Sequence, residues 1–203
     1  MSEVKEEFVK TRPRVVDIGF GLLPPIIFKE VQNYLSSYTG VEIADDEIGI
    51  LSQVASELKK KDSNLNVRAI KGSFAYEEII NELRGEADEV WIRNFRGLGS
   101  EINGVEDLEK KLFGTAFEML EPGGTLLLVN TYDKVDPNTE GKGVKRIVQE
   151  LQDIGFKIEK LENEEQMKEE NHPLVAEFRK RETHIPSKLL ETTPHAIFAK
   201  KPN

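Results

Sequence analysis

Two glycines one residue apart, Gly19 and Gly21, follow an acidic residue in the run Asp17-Ile18-Gly19-Phe20-Gly21. Glycine permits a sharp turn and lets the backbone approach a ligand closely. Glu42 comes 25 residues after Asp17, at the end of Gly40-Val41-Glu42. A carboxylate at such a strand end can accept hydrogen bonds from both hydroxyls of a ribose. Ser73 and Phe74 follow Gly72. The serine hydroxyl suits an adenine edge and the phenyl ring suits its face, although serine after glycine is common in any loop. Further on, Arg93, Asn94 and Arg96 fall within four residues. The Asn94 amide oxygen can accept from a bound amine, and the guanidinium groups of Arg93 and Arg96 suit a carboxylate or phosphate. His184 has the chemistry of a base for the same pocket.

Several chemistries are excluded by what the chain lacks. It has no cysteine, and therefore no disulfide, thiolate zinc site or cysteine nucleophile. Its three histidines, His172, His184 and His195, are 12 and 11 residues apart, which fits neither helical nor hairpin metal ligation, so no metal is expected. There is no Gly-x-Ser-x-Gly elbow and no phosphate loop ending in Gly-Lys-Ser/Thr. The net charge of −9 makes a phosphate backbone a poor default partner. That charge is uneven: residues 1–14 carry +1 and residues 171–203 carry +3, which leaves −13 over 15–170. No apolar run reaches the length of a membrane span. The amino terminus, residues 1–10, is charged and lacks an apolar signal core, which predicts a cytoplasmic protein.

The elements that must position these residues follow from periodicity. Short apolar or alternating runs predict strands over 14–18, 40–43, 66–70, 89–92, 125–129, 156–161 and 195–199. Helical spacing predicts helices over 24–38, 48–58, 76–83, 105–120 and 143–154. Pro24 and Pro25 suit the first turn of the first helix. Gly123 and Gly124 predict a turn into the apolar run Leu126-Leu127-Leu128-Val129, which fits a central strand buried on both faces. With 203 residues, the chain is expected to form one α/β domain over 1–203. That domain is a doubly wound, mostly parallel seven-stranded sheet with helices on both faces. No clear helix separates the last two strands, so they predict a hairpin with an antiparallel strand at the sheet edge. In such a sheet ligands bind at the carboxyl ends of the strands, where strand order reverses. Apart from His184, which comes after the sixth predicted strand, the residues singled out above fall at those ends. The third glycine of dinucleotide binders is absent, and Pro24 and Pro25 remove N–H groups that would face a pyrophosphate, which counts against NAD or FAD.

Three segments together resemble the class I, Rossmann-like, S-adenosylmethionine-dependent methyltransferases. They are Val15-Val16-Asp17-Ile18-Gly19-Phe20-Gly21, Gly40-Val41-Glu42 and Leu120-Glu121-Pro122-Gly123-Gly124-Thr125-Leu126. The resemblance implies a sheet whose last strand inserts antiparallel. It implies S-adenosylmethionine as cofactor, with Asp17, Gly19 and Gly21 around its methionine part, Glu42 on its ribose, and Ser73 and Phe74 beside its adenine. It implies methyl transfer to an acceptor, here expected to be a small molecule, with Asn94 as the catalytic residue. Non-catalytic binding of the same cofactor is the alternative. A fainter similarity links Val175-Ala176-Glu177-Phe178-Arg179-Lys180-Arg181 to bacterial transfer-RNA guanine-N7 methyltransferases. Ala176 replaces the threonine of that family, and Arg96-Gly97-Leu98 replaces its Pro-Asp-Pro-Trp motif, so nucleic acid is the lesser expectation.

Overall fold

The computed structural model describes residues 12–21, 24–61, 64–73, 77–93, 105–133, 142–167, 169–182 and 192–203. Seven strands form one sheet: β1 Arg14–Ile18, β2 Ser37–Glu42, β3 Asn66–Lys71, β4 Ala87–Arg93, β5 Leu120–Asp133, β6 Lys157–Asn163 and β7 Thr192–Lys200. Their order is β3-β2-β1-β4-β5-β7-β6. β1 pairs in parallel with both β2 and β4, so the order reverses between β1 and β4. The helices are α1 Lys29–Tyr34, α2 Asp45–Lys60, α3 Glu77–Leu83, α4 Val105–Met119, α5 Lys142–Ile154, α6 Glu164–Met167 and α7 Pro173–Glu182.

Strand residues alternate between two apolar layers, as the pleat requires. Val16, Ile18, Val90, Ile92, Leu126 and Leu128 pack with Leu83, Phe113 and Leu151 of α3, α4 and α5. Val15, Tyr38, Trp91, Leu127 and Val129 pack with Val31, Leu51 and Val175 of α1, α2 and α7. The run Leu126-Leu127-Leu128-Val129 is at most 1% exposed, as a central strand demands. Asp45, Asp46 and Glu47 open α2, and Lys59 and Lys60 close it, matching the helix dipole at both ends. Among the described residues no helix is long and apolar enough to cross a membrane.

Three expectations are corrected. The first concerns the helix predicted over 24–38. A 3₁₀ turn, Pro25–Ile27, and α1 take its place, broken at Phe28 (φ −88°, ψ 133°). Leu35 is already extended, and β2 starts at Ser37, three residues earlier than expected. The apolar spacing of this region serves a broken segment that buries Ile26, Val31, Leu35 and Tyr38 together. The second is the edge placement of the antiparallel strand, which instead inserts as the resemblance implies. β7 lies between β5 and β6, and β6 takes the edge. Ala196, Ile197 and Ala199 of β7 are buried, whereas β6 exposes Lys157, Glu159 and Lys160, and charge belongs on an edge. The third is the predicted tight hairpin, whose connection instead carries α6 and α7. The Pro-Gly-Gly turn also lies inside β5, as an irregularity between the Ala87–Leu120 and Glu89–Thr125 pairs.

α1 and α7 dock on the sheet around Glu89. Its carboxylate accepts from the Tyr34 hydroxyl, from Trp91 Nε1 at 2.8 Å and from His172 Nε2 at 3.1 Å. His172 Nδ1 in turn accepts from the Leu174 N–H at 3.2 Å, just where Pro173 starts α7. Burial pushes the Glu89 carboxyl up, but His172, Tyr34 and Trp91 together outweigh it and hold the group below its ordinary value.

Gly40 is the tightest point of the α2 face. A Cβ there would lie 2.7 Å from the Phe20 ring and closer still to Leu51 Cδ2. Phe20 and Leu51 are 2% and 0% exposed, so neither has room to retreat. Gly40→Ala is therefore expected to destabilise the protein by about 1–3 kcal/mol in urea unfolding. An unchanged midpoint would mean that Phe20 and Leu51 repack freely.

Candidate functional site

The site is built at the carboxyl ends of β1, β2 and β4. After Ile18 the chain turns through Gly19 (φ +69°) and Gly21 (φ +65°), both in the left-handed region. Among the described residues nothing lies within 4 Å of where a Cβ would stand on either, so they leave this face of the turn open. The Gly19 N–H donates to the Val41 carbonyl at 2.9 Å, which ties the turn to β2.

Phe20, between the two glycines, is held at both ends. Its ring packs against Gly40 and Leu51. Its carbonyl accepts from Arg93 Nη2 at 2.6 Å. The same Nη2 lies 3.1 Å from Asp17 Oδ2. Tyr38 completes the group, its hydroxyl donating to Asp17 Oδ2 at 2.6 Å. The Asp17 and Arg93 side chains are 0% and 5% exposed. A buried carboxylate needs a paired charge or strong donors to stay ionised, and Arg93 and Tyr38 supply both.

β2 brings Glu42 beside the turn. Its Oε2 accepts from the Gly21 N–H at 3.3 Å and its Oε1 from the Ile43 N–H at 2.8 Å. Each carboxylate oxygen has a second lone pair, so Glu42 keeps capacity for further donors. Ile43 follows with 63% of its surface exposed, the most exposed large apolar side chain among the described residues. The Glu42 carbonyl accepts from the Gly72 N–H at 2.9 Å, which brings the half-buried Ser73 to the next strand end.

The structure thus brings together Asp17, Gly19, Gly21 and Glu42, with Ser73 one strand further on. Arg93 joins them at the base of the turn. The guanidinium expected to meet an acceptor anion engages Asp17 and the Phe20 carbonyl instead. Phe74, Asn94, Arg96 and His184 lie outside the described residues. Sequence reasoning missed Tyr38, Phe20 and Ile43. Placing the start of β2 at Ser37 would have put Tyr38 on the same sheet face as Asp17. An isoleucine directly after a strand-ending acid was the available signal for Ile43.

The turn does not lead into a helix suited to a pyrophosphate. Pro24 is extended (φ −62°, ψ 136°), and the 3₁₀ turn that follows opens on Pro25, which has no N–H. The first α-helix starts only at Lys29, behind an N-cap without a side-chain hydrogen bond. Among the described residues after the turn, the donor row that dinucleotide sites aim at phosphate is not formed.

No protein-family model matches the sequence, and no curated protein matches it either. Solved structures do match in shape. The [4+2]-cyclase SpnF aligns with a TM-score of 0.63 at 15% identity, over 94% of this chain and 74% of that one. Geranyl diphosphate C-methyltransferase from Streptomyces coelicolor, solved with Mg²⁺, geranyl diphosphate and S-adenosyl-L-homocysteine, aligns at 0.61 and 13%, over 93% and 72%. An arsenic (III) S-adenosylmethionine methyltransferase from Chlamydomonas reinhardtii aligns at 0.57 and 15%; this chain is covered over 94% and spans 64% of that enzyme. The fold is that of the Rossmann-like methyltransferases, including the antiparallel β7.

Because the turn is open outside and constrained within, Gly21→Ala is expected to cost about 1–2 kcal/mol from left-handed backbone strain alone. Gly21→Asn, which tolerates that region, is expected to cost less. Thermal unfolding of the two variants compares them directly, and equal stability to wild type would mean that the turn is free to relax.

Proposed function

We propose that this chain binds S-adenosylmethionine and transfers its methyl group to a small-molecule acceptor. The observation that carries the reading is the first turn. Among the described residues nothing crowds the outer face of Gly19 and Gly21, Glu42 reaches the turn from the neighbouring β2, and the turn lies where strand order reverses in a sheet of methyltransferase topology. The residues fit the cofactor better than a dinucleotide, since a ligand without a pyrophosphate loses nothing from Pro24 and Pro25. Gly19 and Gly21 would admit its methionine part over the base formed by Asp17, and Glu42 would take its ribose hydroxyls. Ser73 and Phe74 would flank its adenine, with Ile43 as a further apolar cover.

When bound, the cofactor supplies a sulfonium-activated methyl group, so the protein's task is chiefly alignment. Asn94, directly after β4, is assigned to orient the acceptor. Arg96 and His184 are assigned to the acceptor side, as anion partner and base. The small-molecule substrates named for the geranyl diphosphate and arsenic enzymes support an acceptor of that size. A second reading, binding without methyl transfer, draws on the [4+2]-cyclase that shares the fold. Release of S-adenosylhomocysteine during incubation with a panel of small acceptors separates the two: turnover supports methyl transfer, and binding with no turnover on any acceptor favours the second.

Two variants test the roles. Glu42→Ala is expected to weaken S-adenosylhomocysteine binding at least tenfold, about 1.4 kcal/mol, by removing charge-assisted acceptors. Wild-type affinity would remove Glu42 from the site. Asn94→Ala is expected to lower turnover about tenfold or more while leaving cofactor affinity nearly unchanged. A wild-type rate would leave Asn94 a loop residue.

A further inference from the structure

We propose that Arg93 is a positioning residue which pins the first turn to the end of β4, so that the ligand-facing glycines are held in one conformation before any ligand arrives. The observation is that one nitrogen, Nη2, serves two acceptors that belong to different parts of the turn. It reaches the Asp17 carboxylate, which ends the buried part of β1, and the Phe20 carbonyl, which lies between Gly19 and Gly21. Arg93 comes from a strand 76 residues away in sequence from Asp17. Both side chains are removed from solvent.

The consequence is mechanical. Glycine pairs lose more conformational freedom on ordering than any other pair, so a Gly-x-Gly turn left alone samples many states. Here the intervening residue is fixed twice. The Phe20 ring is held in the space that Gly40 leaves, and its carbonyl is held by the guanidinium. A single hydrogen bond would leave the peptide planes on either side free to rotate, whereas a fixed ring and a fixed carbonyl leave little latitude. The two N–H groups on Nη2 lie in the guanidinium plane and point in fixed directions, one for the carboxylate and one for the carbonyl, whereas the donors of an ammonium rotate freely on a flexible stem. Arg93 is also the last residue of β4 and precedes Asn94 directly. The turn and the start of the segment assigned to the acceptor thus share one anchor. Only this last step, and the effect on ligand affinity, rest on the proposed S-adenosylmethionine reading.

A single substitution would not isolate the role. Arg93→Met leaves Asp17 charged and buried beside an apolar group, which destabilises the sheet whatever else Arg93 does. The informative variant is the double Asp17→Asn/Arg93→Met, which removes both charges and leaves the Tyr38 hydroxyl a partner. Three readouts are taken on wild type and double variant: melting temperature, amide exchange of residues 17–21 against that of α5, and S-adenosylhomocysteine affinity by calorimetry. The expected result is a melting temperature recovered relative to Arg93→Met. Exchange across residues 17–21 should be at least about tenfold faster, with α5 unchanged. Binding should be at least about tenfold weaker than wild type. Wild-type protection of residues 17–21 in the double variant would overturn the proposal and leave the pair a structural one. Faster exchange in the variant, combined with a wild type that does not bind S-adenosylhomocysteine, would support the pin and defeat the cofactor reading instead.

Discussion

Asp17 is a carboxylate with no access to water, set into β1, an interior strand of the sheet. That single constraint organises the site. A charge in such a place must be answered, and the answer comes from the two strands flanking β1: a hydroxyl from Tyr38 on β2 and a guanidinium from Arg93 on β4. The strand order is what makes this arrangement available. Only a strand with parallel neighbours on both sides, at the point of reversal, can draw partners from both halves of the sheet at its carboxyl end.

In sheets of this kind ligands bind beside the point of reversal, where the turn stands. The inner side of the turn is crowded, with the Phe20 ring against Gly40 and Leu51. On its outer side no described residue comes within 4 Å of either glycine's would-be Cβ. This asymmetry lets a rigid loop present its backbone closely to a ligand. Glu42 adds a charged group that stands half-exposed at the edge of the turn, and Ile43 adds an exposed apolar side chain beside it. A half-buried acid beside an exposed apolar residue suits a ligand with hydroxyls and a flat ring.

Much of this was legible in the sequence because it is local. The strand-turn pattern of residues 14–21 and the acid at Glu42 are short-range signals, and the structure places both at neighbouring strand ends. The apolar run 126–129 declared a central strand in the same way. Contacts across the sheet were not legible. Arg93 reads as a surface cation suited to an anion, because nothing near it in sequence shows that Asp17 lies within reach. Tyr38 reads as the end of a helix, because the apolar spacing of residues 26–35 continues through a break that only tertiary burial enforces. The position of β7 was half legible: its pairing with β6 follows from their closeness in sequence. Its insertion beside β5 was implied by the resemblance alone, and its physical reason shows in the burial of Ala196, Ile197 and Ala199 against the charged face of β6.

The account depends on the turn being an adenosyl-ligand site rather than a tight loop or a dinucleotide site. Calorimetric titration of the wild-type protein with S-adenosylmethionine and S-adenosylhomocysteine, with NAD as control, tests this most directly. The account predicts saturable one-to-one binding of the two adenosyl ligands, with dissociation constants on the order of micromolar, and no heat from NAD. Binding of NAD alone, or of none of the three, would contradict it.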